Sequence, residues 1–411
     1  MIQITDKHNC CGCSACVQIC PKKCIEFIED DKGFKYPFVN QNECINCRLC
    51  EKVCPCLNEG KPRKPLKVYA VVNPNNNVRM ESSSGGFNSM LAEYVIKKGG
   101  VVFGACFDEN WNVIHDYSET LDGIMKFRGS KYVQSFIGES YVKAKSFLQD
   151  GRMVLFTGTS CQIAGLKRFL NKDYSNLISV DVVCHGVPSP LVWQRYLEYI
   201  KYQKKLVDKN SVLSSPKVSP VITGVSFRDK RTGWEKYGFI AYKKTFVDDN
   251  TILSPNNSST EILLHEVHNE NLYMKLFINN LTLRPSCYKC HCKRGKCESD
   301  FTIADFWGIS EFKKIIDDDK GVSAVLVNSL KAYDIMSQLN IKPIEFQYKQ
   351  VYKRNHSLEH SVKETKYSKM FWDVFLFEGI EQCNRVIDLI EPSILHKLYS
   401  KVIKIIKYMK P

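Results

Sequence analysis

The sequence has no long apolar run. No stretch of its 411 residues approaches the roughly 18 uninterrupted apolar residues that a membrane-spanning helix needs. Asp6 and Lys7 follow Met1 without the apolar segment of a secretory signal peptide. Helix-turn-helix, RNP and zinc-finger spacings are also missing, which argues against nucleic-acid binding despite a net charge of +14. We therefore expect a cytoplasmic protein without a nucleic-acid partner.

The composition is that of a folded protein with more than one domain. Hydrophobic residues make up 44% and charged residues 25%, so the chain can bury a sizeable core. Its length predicts two or three domains. Residues 1–60 hold seven Lys or Arg against eight Asp or Glu, so the basic excess lies beyond them. This asymmetry indicates at least two modules.

Cysteine is abundant, but its placement does not suit disulfides. Eleven of the 19 cysteines precede residue 57, and in a long chain without a signal peptide this favours metal or cluster ligation. The run C-x2-C-x2-C-x3-C-P occurs twice, with a spacing of 34 residues. It is the bacterial ferredoxin signature, in which the fourth cysteine ligates the other cluster. The spacing predicts two [4Fe-4S] clusters, one on Cys10, Cys13, Cys16 and Cys54 and one on Cys44, Cys47, Cys50 and Cys20.

Zinc is the alternative ligand of these cysteines. It prefers paired C-x2-C knuckles separated by a longer loop, and a triple run closed by proline fits that pattern poorly. Cys11, Cys24 and Cys56 fall outside both registers, so we interpret them as bystanders.

Beyond residue 58 the sequence predicts a linker and an α/β body. Residues 59–67 hold two prolines and four cations, which is typical of a solvated connection. Short apolar runs then alternate with helical patterns near 86–98, 139–149 and 162–170, which indicates strands joined by crossover helices. The predicted fold class is α+β or α/β, with a ferredoxin domain at 1–58, a mixed α/β domain at 68–350 and a helical extension at 351–411.

Reactive side chains follow several of the predicted strands. Ligands of open α/β sheets bind at the carboxyl ends of the strands. Cys161 follows one such strand, and Cys184 and His185 follow the next. A further group comprises Cys287, Cys290, Cys292 and Cys297. From spacing alone, this group fits a self-contained zinc site, with His291 as a further ligand, as well as a shared site.

Seven segments carry a pattern that extends over about residues 68–350. They are SSSGGF (82–87), FRGSKYVQS (127–135), FTGTSCQIAGLKRFL (156–170), VDVVCHGVPSP (180–190), VSFRDKRTGW (225–234), RPSCYKC (284–290) and TIADFWG (302–308). Together they resemble the coenzyme F420 hydrogenase/dehydrogenase beta subunit family of iron-sulfur flavoproteins. The resemblance implies a mixed α/β domain with FAD, which passes electrons between iron-sulfur clusters and a substrate. Ser160, where proline is usual, and the extra Cys292 and Cys297 depart from the family pattern.

The resemblance also implies site residues. Those expected at FAD are Ser83, Ser84, Gly85, Gly86, Gly129, Ser130, Lys131, Tyr132, Gln134, Thr157, Gly158 and Thr159. A third [4Fe-4S] cluster would take Cys161, Cys184, Cys287 and Cys290. The alternative gives the cysteines of 287–297 a separate zinc or spectator role. The Ser/Gly turn suits a phosphate by its free backbone amides, although a plain N-cap explains it equally well.

Catalysis would need a proton source near the flavin, and the candidates are His185, Lys131 and Asp305. A structural imidazole is the alternative for His185, and a helix cap is the alternative for Asp305. The expected activity is that of an oxidoreductase between a donor such as ferredoxin and a small-molecule or lipid- or sugar-linked acceptor. Coenzyme F420 is not assumed to be that acceptor. A non-catalytic electron-transfer subunit and a redox sensor are the rival functions.

The C-terminal residues 393–411 place lysines along one stripe of a predicted amphipathic helix. One interpretation is peripheral contact with an anionic membrane face. The other is a final helix packed on the body, with its lysines in solvent. Whether the chain forms a homo-oligomer is left open.

Overall fold

The structure is a computed structural model that describes residues 1–209, 220–244, 261–313 and 316–391, the side chains of 204–209 excepted. The predicted amphipathic helix at 393–411 lies outside these residues. Within them, no helix is both long enough and apolar enough to cross a membrane.

The N-terminal domain repeats one small unit. Each half has a short helix inside its cysteine run, and the two strands pair antiparallel. These elements are α1 (Ala15–Gln18), β1 (Ile25–Glu29), β2 (Lys35–Val39) and α2 (Leu49–Lys52). Positive φ angles occur at matched positions of the two halves, namely Gly12 and Asn46, and Ser14 and Arg48. The two cysteine loops therefore share one backbone conformation, which supports the duplication seen in the sequence.

The body is built on a mixed sheet of eight strands in the order β13-β3-β12-β11-β7-β6-β4-β5. β4, β6, β7 and β11 run parallel, and β3 points the same way because it pairs antiparallel with β12. The strands are β3 (Lys67–Val71), β4 (Val101–Phe107), β5 (Val113–Ser118), β6 (Val154–Thr159), β7 (Leu177–Val182), β11 (Phe301–Asp305), β12 (Ser323–Val327) and β13 (Ile344–Glu345).

Helices cover both faces of this sheet. The apolar core of one face includes residues of α5 and α6, and the core of the other includes residues of α4 and α9. The helices of this part are α3 (Asn76–Glu81), α4 (Phe87–Lys97), α5 (Ser140–Gln149), α6 (Ser160–Leu170) and α9 (Leu330–Gln338). Alternate residues of β4 and β6 enter the two cores, as expected for strands that are buried on both sides.

A second sheet of three antiparallel strands packs with the remaining helices around a core rich in aromatic residues. Its strands are β8 (Val221–Asp229), β9 (Gly238–Lys244) and β10 (Glu261–Val267). The helices α7 (Pro190–Lys209), α8 (Leu272–Ile278), α11 (Ser368–Glu378) and α12 (Asn384–Ile390) pack here, whereas α10 (Tyr348–Tyr352) packs in a smaller core beside β12.

The ferredoxin-like domain packs directly on the body. The amides of Tyr141 and Val142, at the start of α5, both donate to Oε1 of Gln18, at 3.0 and 3.2 Å. Gly165 lets α6 approach closely, because a Cβ there would lie 3.0 Å from Sγ of Cys13. These contacts hold one cysteine loop against the carboxyl edge of the large sheet.

Candidate functional site: three groups of thiols and a cationic turn

The first group of thiols lines a cavity in the N-terminal domain. Cys20, Cys44, Cys47 and Cys50, the second predicted set, all line it. We call this set the outer site, because Cys47 is exposed to solvent. The backbone amide of Ile2 donates to Sγ of Cys50 at 3.2 Å, as expected for a sulfur that carries negative charge.

Cys24 also lines the outer site. Its Sγ lies 3.5 Å from Sγ of Cys20. Cys24 therefore lies beside a predicted ligand, and its interpretation as a bystander stays a prediction. Spacing could not reveal this contact, because Cys24 reaches the cavity from the turn before β1.

The second group, Cys10, Cys13, Cys16 and Cys54, is buried, and we call it the inner site. Burial raises the pKa of Cys16 well above its usual value, and the neighbouring Cys13 and Cys10 raise it further. Such a group of neutral thiols needs a cationic partner before all of them can ionise. The chemistry of this set therefore fits a bound iron-sulfur cluster.

The third group lies where the N-terminal domain meets the body. It lines a cavity and contains seven cysteines, namely Cys11, Cys56, Cys161, Cys184, Cys287, Cys290 and Cys292. We call it the junction site. The four cysteines that the resemblance implies for a third cluster all belong to it. Thr159 Oγ1 lies 3.2 Å from Sγ of Cys161, and the amide of Val187 donates to Sγ of Cys287 at 3.4 Å.

The junction site also contains Cys11 and Cys56, whose interpretation as bystanders stays a prediction. Each lies within two residues of an inner-site ligand in sequence, yet both line the junction cavity. The neighbouring thiols of Cys13, Cys161 and Cys56, together with burial, raise the pKa of Cys11 well above its usual value. The two cysteines therefore lie between the inner and junction sites.

The cysteines of 287–297 separate into two groups. Cys292 lines the junction site, whereas Cys297 does not and is buried near Asp181, whose charge adds to the effect of burial in raising the Cys297 pKa. In the described part of the chain, no three Cys, His, Asp or Glu side chains converge around a single-ion position. The thiols around a four-iron cluster lie further apart than the ligands of one ion, because several metal atoms separate them.

The predicted FAD residues come together at the carboxyl edge of the large sheet. The amide of Ser130 donates to Oγ of Ser83 at 2.6 Å, which joins the Ser82–Gly86 turn to the 129–132 segment. Thr157 Oγ1 donates to Oδ1 of Asn88, at the start of α4, at 3.0 Å. Thr159 continues this edge into the junction cavity. The same surface thus reaches from the Ser/Gly turn to the third group of thiols.

The Ser/Gly turn is packed tightly from behind. Gly85 has to be glycine, since a Cβ there would lie 2.3 Å from the carbonyl oxygen of Val71. Ser84 Oγ donates to the carbonyl of Val322 at 2.9 Å, and Gly86 starts α4 with a φ of 85°. Lys230 Nζ donates to the carbonyl of Ser84 at 2.8 Å. The turn is fixed, and a cation lies at its base.

Two comparisons identify the parts of the chain. Residues 9–58 match the model of the 4Fe-4S dicluster domain, and residues 151–350 match the model of the C terminus of the coenzyme F420 hydrogenase/dehydrogenase beta subunit. The chain thus combines a 4Fe-4S dicluster domain with a C-terminal domain of the coenzyme F420 hydrogenase/dehydrogenase beta subunit family. It is thus an iron-sulfur electron-transfer protein related to such beta subunits.

Other comparisons add little to this family assignment. A chain of the F420-reducing [NiFe] hydrogenase complex from Methanosarcina barkeri, solved as a xenon derivative, matches over 72% of this chain and 90% of its own. The identity is 15% and the TM-score 0.42, values too low to carry a conclusion. No curated protein gives a significant match to the sequence.

Arginine side chains surround the Ser/Gly turn of this family member, and the sequence did not single them out. Arg228 donates to the carbonyl of Ser83 at 3.2 Å and to the hydroxyl of Tyr132 at 3.2 Å. Within the described residues, Nε of Arg228 and Nε of Arg128 are buried without a hydrogen-bond partner. Buried donors without an acceptor are costly, so these two fit an anionic group such as a cofactor phosphate.

Lys131 lies beside the same turn. Its Nζ donates to the carbonyls of Lys126 and Arg128, both at 2.9 Å. Burial lowers the pKa of Lys131 to about 8, although the nearby Cys106 opposes this shift. The amine is therefore held in place, and it titrates near physiological pH.

His185 lines the junction cavity and contacts two residues around α8. Its Nε2 is 2.6 Å from Oδ1 of Asn280, and its ring meets that of Phe277 edge-on at 5.3 Å. Burial lowers its pKa, and the bond to Asn280 opposes that effect. The imidazole is therefore held beside the thiols in its neutral form.

Asp305 ends β11 and does not cap a helix as the structural alternative supposed. Its carboxylate forms a buried ion pair with Arg228 at 2.9 Å and accepts from the indole of Trp234 at 3.2 Å. The Trp234 ring in turn stacks on Trp307 at a centroid distance of 4.6 Å. Asp305 thus positions Arg228 beneath the Ser/Gly turn.

Gln134 lies away from the other predicted FAD residues. Its Nε2 donates to the carbonyl of Cys11 at 3.2 Å, and its Oε1 accepts from Arg284 at 3.0 Å. These contacts join the N-terminal domain to the body. A role of Gln134 at the flavin stays a prediction.

Proposed function

We propose that the chain is an iron-sulfur flavoprotein oxidoreductase. It would take electrons from a reduced donor such as ferredoxin and deliver them, through [4Fe-4S] clusters and FAD, to an organic acceptor. A glycan or another biosynthetic intermediate is the candidate class of acceptor. The clusters carry single electrons, and the flavin supplies two-electron chemistry as a hydride.

The arrangement of the three groups of thiols supports this proposal. The outer site has an exposed cysteine, the inner site is buried, and the junction site is lined by cysteines of both domains. Cys11 and Cys56 lie between the last two. A third cluster on Cys161, Cys184, Cys287 and Cys290 would therefore stand between the ferredoxin-like domain and the body.

The convergence of those four cysteines is the observation that carries the proposal. Cys161 begins α6, Cys184 follows β7, and Cys287 and Cys290 come a hundred residues later, yet one cavity brings them together. Buried cysteines that served only as small apolar residues would have no reason to share a cavity.

The cationic turn supports a flavin on the neighbouring part of the edge. Ser83, Ser130 and Lys131 would hold the phosphates, together with the unpartnered Nε donors of Arg128 and Arg228. Thr157 to Thr159 lead from there to the junction site. Of the three predicted catalytic residues, Lys131 remains the candidate proton donor, and His185 remains a candidate for proton transfer that has to accept a proton before it donates one. Asp305 acts as a positioning residue through Arg228.

Reduction of the bound flavin after anaerobic mixing with a reduced ferredoxin tests the proposal. We expect reduction in the wild-type protein and at least a tenfold slower reduction in Cys161→Ala. Cys383→Ala is the control, because Cys383 is a buried cysteine of the C-terminal helical region and belongs to none of the three groups of thiols. Equal flavin reduction in Cys161→Ala and the control would contradict a path through the junction site.

A second candidate is a non-catalytic subunit that relays electrons to or from a partner hydrogenase or dehydrogenase. The description of the matching family model as a beta subunit favours it. The isolated chain separates the two candidates, since an enzyme would turn over an organic acceptor alone and a relay subunit would not.

A further inference from the structure

Charge is distributed unevenly over the N-terminal domain. Four of its cations, Lys22, Lys23, Arg48 and Lys52, lie in or beside the two segments that form the outer site. All four are exposed, and in the described residues none has an acidic partner within ion-pair distance. At the other end of the domain, Lys7 is paired with Asp30 at 2.7 Å.

Acidic side chains near the outer site do not cancel this charge. Glu51 is bound to the N-terminal amine of Met1 at 2.8 Å. Glu26 and Glu43, which adjoin the lining residues Ile25 and Cys44, are fewer than the four cations. The surface around the outer site is therefore positive, although residues 1–60 as a whole hold one more acid than base.

The centre of this surface is apolar and open. Ile45 is 57% exposed and Leu49 36%, and both line the outer cavity next to the exposed Cys47. Ile45 and Leu49 occupy the positions that Cys11 and Ala15 occupy in the first half of the repeat. There the equivalent face is covered by the body, and here it is open to solvent.

We propose that this surface docks an acidic one-electron carrier protein, and this proposal rests on the electron-transfer function proposed above. A small apolar centre in a ring of unpaired cations suits a transient redox partner that is steered by charge. Such a partner would approach the outer site, where the thiols are closest to solvent. The carrier is identified by its negative surface and its exposed redox centre.

The test uses the holoprotein and an acidic two-cluster ferredoxin as the reduced donor. We would compare the wild-type protein with Lys22→Glu/Lys23→Glu and with Lys97→Glu/Lys98→Glu. The second pair is the matched control, since it is also two adjacent exposed lysines but ends α4 just before the start of β4. The readout is the second-order rate constant of cluster reduction at low and high ionic strength.

We expect the Lys22/Lys23 variant to lose about tenfold or more in rate at low ionic strength and most of its salt dependence. The control should stay within about twofold of the wild-type rate. Arg48→Glu, an independent variant, should slow the reaction in the same way. Equal rates for the wild-type protein and both outer-site variants would overturn the proposal.

Dithionite separates this proposal from the proposed function. As a small reductant it does not need a docking surface, so at high ionic strength, which screens its own negative charge, it should reduce the clusters of all four proteins at equal rates. A wild-type protein whose clusters and flavin dithionite cannot reduce would contradict the proposed function itself. Slow reduction by dithionite confined to the outer-site variants would indicate a damaged cluster and would overturn the docking interpretation.

Discussion

Arg284 holds Cys10 by two hydrogen bonds across the junction between the N-terminal domain and the body. Its Nε donates to the carbonyl of Cys10 at 2.7 Å, and its Nη2 lies 3.5 Å from Sγ of the same residue. The guanidinium is 1% exposed and stacks over the ring of Tyr36 at 4.2 Å. A buried positive charge thus lies against a sulfur of the inner site.

We predict that Arg284→Met lowers the midpoint potential of the inner cluster. A cluster becomes more negative on reduction, so a buried cation and an N–H donor at a ligand sulfur favour its reduced form. Arg284→Lys should retain more of the wild-type potential than Arg284→Met. An EPR-monitored redox titration gives the potentials, with the outer cluster as internal control. An unchanged inner potential in Arg284→Met would contradict this role.

A second prediction concerns the ligands of the junction site. Alanine at Cys161, Cys184, Cys287 or Cys290 should each lower the iron content by up to about four atoms per chain, because the loss of one thiolate ligand weakens the hold on the cluster. Alanine at Cys292 should leave the iron content unchanged. Metal analysis after anaerobic purification gives the count. Iron loss in Cys292→Ala together with full retention in Cys290→Ala would assign the fourth ligand to Cys292.

The third prediction concerns the pH dependence of FAD binding. Burial lowers the pKa of Lys131 to about 8, and a lysine carries its charge only below its pKa. The dissociation constant of FAD should therefore be constant below pH 8 and should rise above it. Lys131→Met should bind FAD roughly tenfold more weakly at neutral pH, without this rise, since it lacks one charge-assisted hydrogen bond. Fluorescence titration of the apoprotein would measure both effects.

Two results would show whether the charge of Lys131 or another feature of the protein causes the pH dependence of FAD binding. Lys131→Arg keeps its charge, so its FAD affinity should stay constant over the same pH range. An identical pH dependence in the wild-type protein and Lys131→Met would show that another group is responsible.

The fourth prediction concerns the buried pair of Arg228 and Asp305. The two side chains are 3% and 15% exposed, so Asp305→Ala leaves a buried cation without its partner and should cost about 3–5 kcal/mol of stability. Glu198→Ala breaks the exposed pair with Arg195 and should cost at most about 1 kcal/mol. Anaerobic urea denaturation compares the two variants. Similar losses in both would contradict the assignment of Asp305 as a structural partner.

Much of the fold could be predicted from the sequence, because its signals are local. The helix predicted at 162–170 begins at Ser160, and the sequence held the reason: Thr159 and Gln162 form a capping box. The helix predicted at 86–98 spans Phe87–Lys97. The alternating pattern did not predict the three-stranded sheet β8–β10, because its strands pair with each other and not with strands of the large sheet.

The site residues also fall into two classes, those that local spacing predicts and those that only tertiary contacts fix. Ligand spacing predicted the outer and inner groups, because each loop fixes three sulfurs locally. The place of Cys11 at the junction site depends on how the two domains pack, and the spacing of cysteines in the sequence cannot predict that packing. Arg284 and Arg228 are also set by tertiary contacts, with Tyr36 and with Asp305, so their burial left no local signal.

Iron and flavin content per chain after strictly anaerobic purification tests the central claim most directly. Three [4Fe-4S] clusters and one FAD predict about twelve iron atoms and one flavin per chain. About eight iron atoms with one flavin would contradict the third cluster at the junction site. A chain that binds no flavin even after reconstitution would contradict the flavoprotein as a whole.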